Sequence, residues 1–567
     1  MYLRITKRRN ADGTEVRYYQ LAENTWDAKR GCAVAKVVYN FGRADQLDAD
    51  QLRRLAASIL RVVSSDAVPS GAAPAGGADD LRIRDSWTYG GVHVLEELWR
   101  EVGIGAVLTG RAKKAGTKQP FERALFAMVA NRALEPYSKL YCWEQWLREE
   151  VFLPSAAPLA LQHLYRAMDF LEEHKAEVEK AVFFRMADLM NADVDLIFYD
   201  TTSLHFEVDE EDEEDELERK RDDRKYEPLR KRGYSKNGRE DAPQIVVGLA
   251  VTRDGLPVRS WVFSGDTADV TTVEKVKADL KGWRLGRCMF VGDAGMNSEE
   301  NRRRLALGNG KYILGSRLRA GDEVTTDVLA RQGRYQEVKD NLRVKEVIVG
   351  DGERRRRYVV CHNPDEEARQ RAHRAKLLAE VGAEIEAMKA RPDRKHSKRT
   401  CALLTSGRFG RYLRETKGGR LRIDRAAVAE AERYDGKWVI TSNDDTLTAE
   451  DLALGYKQLL RVEDCWRQLK SGLHMRPVRH FRPWRIQAHV TISVLALLLE
   501  RIAEIRAGDT WRNVAAKLRQ IKVVEYDRAG ARVLQTTEVR EEAAALLQQL
   551  GVPLPPRFHA IEPAPAT

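Results

Sequence analysis

Apolar and polar residues alternate through VRYYQLAENTW (16–26) and CAVAKVVYNFG (32–42). A period of two belongs to half-buried strands, so residues 1–63 are expected to form a small β-rich domain. Its last part, 47–63, changes to the three- and four-residue spacing of an amphipathic helix. No periodicity survives in SSDAVPSGAAPAGGADD (64–80), where Ala, Gly and Pro predict a flexible linker. Helical spacing returns in VHVLEELWREVGI, FERALFAMVANRAL and LQHLYRAMDFLEEHKAEVEKAVFFRMADLM, which predicts a helical domain over 81–190.

At residue 196 the pattern changes again. LIFYDTTSLHF (196–206) opens on four apolar residues suited to the middle of a sheet. QIVVGLAVT (244–252) and PVRSWVF (257–263) follow, joined across Asp254-Gly255, a dipeptide that predicts a tight hairpin. A helix is expected over 271–282, a strand over RCMFVGD (287–293), a helix from Asn297 with Glu300 as its capping-box partner, and a strand over KYILGSRL (311–318). Three antiparallel strands, then helix-strand-helix-strand, is the order of a ribonuclease-H-like mixed sheet, an α/β fold. Residues 320–444 interrupt it with short strands (KEVIVGD, RRRYVVCH, KWVITS) and a charged helix (366–391), the content of a β-rich α+β insertion domain. Thr448 and Asp451 are spaced as the cap of a helix running through TAEDLALGYKQLLRVEDCWRQLKSGL. The expected sheet domain is therefore in two parts, 191–319 and 445–508. From about 509 to 567 the C-terminal region reads as helix, hairpin around Arg528-Ala529-Gly530, and helix.

Composition narrows the function classes. With 567 residues and 43% hydrophobic content the chain can bury several cores. No apolar run reaches the ~18 residues of a membrane helix, and VTISVLALLLERI (490–502) ends in charge. MYLRITKRRN lacks the apolar middle of a signal peptide. Six cysteines lie far apart with no C-x-x-C pair, which favours a reducing compartment and disfavours structural zinc. A cytoplasmic protein without a membrane partner is expected. The net charge of +10, from 96 basic against 86 acidic residues, suits a polyanionic partner such as DNA. Against that excess, EVDEEDEEDE (207–216) holds nine acids in ten, a run expected to be a solvated loop or a fence against DNA.

Three acids stand out by position. Asp200 ends an apolar run, where an unpaired buried charge is costly. Asp293 closes a strand just before Ala294-Gly295, and Glu463 lies in the helix after the insertion. The first and fourth strands of such a sheet are neighbours, so Asp200 and Asp293 are expected to converge. Adjacent carboxylates repel unless a proton or cation lies between them, and a hard divalent ion such as Mg²⁺ meets that need together with substrate phosphate. At about 100° per residue, Leu459, Glu463, Trp466 and Lys470 share one helical stripe, with Arg467 to the side.

The blocks YDTTSLHFE, GYSKNGREDAPQIVVGLAVTRDGLPVRSWVF, VGDAGMNSEEN and GYKQLLRVEDCWRQLKSGLHMRPVRHFRPWRIQAH resemble, in order, those of the DDE transposases of bacterial insertion sequences. The group most similar carries a Y-R-E-K signature and a large insertion before the glutamate, and the likeness covers most of 85–505. It implies that Asp200, Asp293 and Glu463 are the catalytic triad and hold two Mg²⁺ ions, with Mn²⁺ as a substitute. The signature spacing places Tyr456, Glu463 and Lys470, while its arginine position is Leu459 here, a role open to Arg461 or Arg467. Tyr456, Arg467 and Lys470, with Lys236 and Arg239 of GYSKNGRED, are the expected DNA contacts. The resemblance further implies cleavage at terminal inverted repeats, joining of the 3′-OH ends to target DNA, and a homodimer or larger assembly on paired ends. End recognition then falls to the helical region 81–190 or to the N-terminal domain. The alternative is a sequence-specific DNA-binding protein derived from a transposase, without strand transfer, whose binding ignores Mg²⁺.

Overall fold

The computed structural model describes residues 2–9, 15–27, 32–43, 81–189, 195–213, 215, 217–219, 223–281, 283, 288–319, 323–389, 396–528 and 530–563. The helix expected over 47–63 and the linker over 64–80 lie outside them. The chain divides into two units, Met1–Arg82 and Ile83–Thr567. The first is an antiparallel meander of Tyr2–Arg9, Glu15–Asp27 and Cys32–Arg43, as the alternating pattern predicts.

The second unit opens with helices α1 (Gly90–Glu101), α2 (Ile104–Lys114), α3 (Phe121–Leu134) and α4 (Leu161–Leu189). α3 is apolar nearly all round and is buried from Ala124 to Ala133, which suits a central helix.

Nine strands then build one sheet. They are β1 (Leu196–His205), β2 (Gln244–Val251), β3 (Pro257–Ser264), β4 (Met289–Gly292), β5 (Lys311–Ser316), β6 (Gln336–Lys339), β7 (Leu342–Val349), β8 (Arg356–His362) and β9 (Lys437–Ser442). Their order is β6-β7-β8-β9-β5-β4-β1-β2-β3. β1, β2 and β3 are antiparallel, while β4 runs parallel to both β1 and β5. Every residue of β2 is buried, so its apolar run is continuous rather than alternating. The β2–β3 turn uses Gly255 at a φ of 75°, as the Asp-Gly pair predicts.

Strands β6, β7, β8 and β9 all fall within the expected insertion, yet they hydrogen-bond into this same sheet: β8 pairs with β9, and β9 with β5. The elements between β8 and β9 pack around small cores of their own. α5 (Asp269–Lys281) and α6 (Glu299–Ala306) precede that stretch, and α7 (Pro364–Lys389) begins it. Val381, Ile385, Leu413 and Leu421 form one such core, and Leu377, Tyr412 and Ala431 another. Arg374 of α7 grips Asp435, two residues before β9, through two buried hydrogen bonds of 2.7 and 2.5 Å.

Several local expectations need correction. α6 is capped by Ser298, whose hydroxyl accepts from Asn301 N at 3.1 Å; Asn297 instead donates to Gly315 O at 2.6 Å, and Glu300 pairs with Arg304. The Thr448–Asp451 capping box forms as expected and opens α8 (Ala449–Lys457). That helix does not run on to residue 473. A turn at Gln458–Leu459 separates it from α9 (Leu460–Arg467), so Leu459 and Trp466 go inside while Glu463 faces out. The acidic run is not simply solvated: Asp212 accepts from Leu229 N, Arg230 N and Arg230 Nε, and Glu211 pairs with Arg232. Finally, α10 (Pro483–Ala507) is long and apolar enough to cross a membrane, contrary to the run-length reading, but its apolar stretch is packed inside the protein against α3, α4 and β3. The C-terminal hairpin is present as Lys522–Arg528 and Ala531–Thr536, and the strands Arg82–Thr88 and Phe558–Pro563, unsignalled by any periodicity, complete its four-stranded sheet.

Candidate active site

The parallel pairing of β1 and β4 sets Phe198 opposite Val291. Two residues beyond this last pair stand Asp200, still in β1, and Asp293, one residue past the end of β4, so continuing the register brings them side by side. Neighbouring strands lie about 4.8 Å apart, so Asp293, just past the end of β4, comes beside Asp200 in the middle of β1, where its charge acts on Asp200. Asp293 turns the chain there, its Oδ1 accepting from Gly295 N at 2.8 Å. Asp200 is largely enclosed. Burial pushes its pKa up to about 6, with Asp293 and Asp269 adding to the rise and Lys236 opposing it.

A third carboxylate, which sequence reasoning missed, completes this group. Asp269 at the start of α5 places Oδ2 2.9 Å from Lys236 Nζ and accepts at Oδ1 from the Thr201 hydroxyl. A Cβ built on Gly295 would stand 3.1 Å from Asp293 Oδ1 and 3.7 Å from Asp269 Oδ2, so both acids border one small space. Lys236 Nζ also lies 3.7 Å from Asp200 Oδ1 and donates to Thr201 O and Oγ1 at 2.8 Å. Burial works against its charge, yet Asp200 and Asp269 hold its pKa above the ordinary lysine value. Its segment is fastened to β1 by Lys236 N donating to Ser203 Oγ (2.9 Å) and Asn237 Nδ2 to Ser203 O (2.7 Å). The ammonium expected to touch DNA is thus engaged inside the carboxylate group.

Tyr456 of α8 reaches the same place. Gly315 of β5 leaves room for it, since a Cβ there would stand 2.3 Å from Tyr456 Oη and 2.9 Å from Ala294 N. Burial raises the phenol's pKa, and Asp293, Glu463 and Asp200 raise it further, so this one hydroxyl senses all three predicted acids. Gly315→Ala is expected to displace Tyr456 or the Asp293 turn and to lower DNA cleavage at least about tenfold, roughly 1.4 kcal/mol in barrier, with near-normal expression. Initial-rate measurements on the purified variant check it.

Glu463 lies in the first turn of α9, which packs on β1 through buried Val462, Cys465 and Trp466. Its own side chain is exposed, and among the described residues no three acidic, histidine or cysteine side chains close into a metal cage. Lys470, one turn beyond α9, donates to Asn237 Oδ1 at 3.3 Å. Its pKa is pushed down to about 8, by burial first and then by Arg476 and Lys236. Arg467 and Arg239 are at the surface, paired with Asp464 and Asp241 at 2.9 Å each. A cavity of about 640 Å³ opens beside Lys236 and Asp269, lined also by Tyr234, Arg302, Arg317 and Arg356. Tyr234 is 80% exposed there, and Arg317 has no ion-pair partner among the described residues. An open aromatic face amid guanidinium groups suits a nucleic acid strand.

A family model described as the transposase DDE domain matches residues 212–499, just over half of the chain. The chain belongs to the DDE transposase family. A second model, the N-terminal domain of IS1634 family transposases, matches residues 3–68, which makes this DDE transposase one of an insertion sequence. The matched DDE segment begins after Asp200 and includes Asp293, Tyr456, Glu463 and Lys470. Among solved structures, a piggyBac transposase synaptic complex with hairpin DNA, determined by cryo-EM, is similar at 10% identity and a TM-score of 0.34 over 70% of each chain, a likeness too low to carry an argument. No curated protein matches the transposase.

DDE transposases work with divalent metal ions. The residues present fit such a partner. Asp200 and Asp293 lie side by side with Asp269 near them, and Lys236 supplies the nearest positive charge, with Lys470 further off. Glu463 is carried alongside on α9 rather than closed over the pair.

Proposed function

We propose that this transposase cuts DNA at the terminal inverted repeats of its insertion sequence and joins the freed 3′-OH ends to target DNA in a ribonuclease-H-like site. The observation that carries this reading is the β1–β4 register, which sets Asp200 against Asp293. Asp200 and Asp293 would hold the metal from one side and Glu463, from α9, from the other. Mg²⁺, or Mn²⁺ in its place, supplies when bound the Lewis-acid stabilisation of the attacking and leaving oxygens. Both steps are in-line displacements at phosphorus. Water attacks first and releases the transposon 3′-OH; that hydroxyl then attacks a target phosphodiester, and the displaced oxygen leaves as the new 3′-OH of the target.

The chain's own residues bind and orient. Lys236 neutralises the carboxylates it touches, and its four-carbon stem lets the ammonium turn toward a DNA phosphate when a metal takes its place. Tyr456 fills the wall behind Asp293. Lys470 contacts phosphate beside the scissile bond, while Arg467 and Arg239 at the surface, and Arg317 and Tyr234 in the cavity, guide the strand. In this reading 191–319 and 445–508 form the catalytic domain, 320–444 is inserted in it, and 81–190 or 1–63 reads the ends. The working form is a homodimer or larger on paired ends, in the cytoplasm.

The test is strand joining with pre-cut, labelled ends and a plasmid target. Joined product that depends on Mg²⁺ is expected; cutting of uncut ends without any joining would instead make the protein a plain nuclease. Lys470 adds a pH signature. A base whose folded pKa is lowered to about 8 is charged below that pH and neutral above it, unless a bound phosphate returns its proton. Affinity for duplex DNA is therefore expected to decline as pH rises past about 8, by up to about tenfold per pH unit from this group, and Lys470→Gln should flatten that decline. Fluorescence anisotropy across pH 7 to 10 at fixed salt reads it.

A further inference from the structure

Away from the carboxylates, a second set of basic groups is buried with no ion-pair partner among the described residues. Arg132 of α3, Lys139 just after it and His489 of α10 are 5%, 5% and 3% exposed. Arg132 donates from its Nη atoms to the carbonyls of Leu473 (3.2 Å), His474 (3.1 Å) and Tyr137 (3.2 Å), but its Nε has no acceptor among the described residues. His489 Nε2 lies 2.9 Å from Met475 O and so carries the proton there, leaving Nδ1 buried without a partner among the described residues. The Lys139 ammonium has neither a hydrogen bond nor an ion pair among the described residues. These groups act on one another: His489 responds to Arg132, Lys139 and His480, and the His480 ring is 5.5 Å from its own.

Among the described residues no carboxylate forms an ion pair with Arg132, Lys139 or His489, and the largest charges acting on Lys139 and His489 are those of the group itself. Cys142 beside them is a thiol whose pKa burial pushes up to about 12, and the nearby Arg485 is matched by Asp169. Burial, and then Arg132, drive the Lys139 pKa well below its ordinary value. Such an arrangement is costly in the free protein. A water molecule could offer acceptors but no charge.

We propose that Arg132 Nε, Lys139 Nζ and His489 Nδ1 form a binding site for a phosphate oxyanion. A phosphate group presents several acceptor oxygens and the negative charge these donors lack, and His489 takes up a proton on binding to become a donor at Nδ1. The wall of the site, residues 473–475, continues into Arg476, whose charge acts on Lys470 at the catalytic carboxylates. The site is thus joined to the active centre by one short segment, and the phosphate it takes is that of a DNA backbone near the cleaved end. Free phosphate offers the same chemistry.

The experiment uses the full-length protein with Lys139→Met and Lys139→Gln, two changes that keep the stem. In one arm, thermal unfolding is compared in sodium phosphate and sodium chloride of equal ionic strength. Phosphate is expected to raise the wild-type midpoint by a few degrees and to leave both variants unmoved. In the other arm, which rests on the DNA-binding reading above, the slope of log affinity against log salt is measured on a linear duplex. It is expected to fall by about one in both variants. A phosphate shift with an unchanged slope assigns the site to the free anion. An unshifted wild type together with an unchanged slope overturns the proposal, as does a variant that is merely more stable while phosphate does nothing. Should one variant fail to fold, the other and the wild-type phosphate arm decide.

Discussion

Asp200→Asn and Asp293→Asn are each expected to reduce end cleavage and strand joining by at least about a thousandfold, roughly 4 kcal/mol of transition-state stabilisation. End binding should stay within about twofold, because neither carboxylate faces the phosphate backbone as a donor. The amide keeps the shape of each side chain but removes the charge that the β1–β4 register brings together. Asn at 200 also relieves a buried acid, so the variant should be no less stable than the wild type. Gel assays of cleavage and joining beside a binding isotherm separate the two effects. Full activity in either variant would remove these residues from the chemistry.

The second large effect is on stability. Asp435→Ala leaves the largely buried Arg374 guanidinium with only Glu432, 3.6 Å away and half-exposed, and breaking a buried pair from one side typically costs about 3–5 kcal/mol, of which Glu432 offsets a part. The urea midpoint of that region should fall accordingly. The double change Arg374→Leu with Asp435→Leu should recover most of the loss, since two apolar groups replace a pair rather than orphan a charge. Cleavage per folded molecule is expected to persist in both, because this cluster has cores of its own apart from the carboxylates.

What the sequence made legible was mostly local. The acid at the end of LIFY, the Asp-Gly hairpin and the Thr448–Asp451 box each state their structure within a few residues, and each is found. Asp293 could be paired with Asp200 because a strand order fixes neighbours. Asp269 could not be found this way: an acid in the first turn of a helix is commonplace, and only the fold carries it to Lys236. Lys236 reads as a DNA contact because GYSKNGRED flanks the predicted active face, and only the fold sets its ammonium between Asp200 and Asp269. The docking of β6 to β9 onto the central sheet depends on pairing between distant strands, which leaves no periodic trace. The split between α8 and α9 was hidden because neither Gly nor Pro marks it. The acidic run looked solvated because its partners, Arg230 and Arg232, lie beyond a second charged stretch.

The central claim is that Asp200 and Asp293 form one cation-binding edge for phosphoryl transfer on DNA. Anomalous scattering from crystals grown with Mn²⁺ and a cleaved-end duplex tests it most directly. The account predicts a manganese peak about 2.2 Å from carboxylate oxygens of both residues, with the Lys236 ammonium displaced from between them. Manganese bound elsewhere, with Lys236 still joining Asp200 to Asp269, would contradict it.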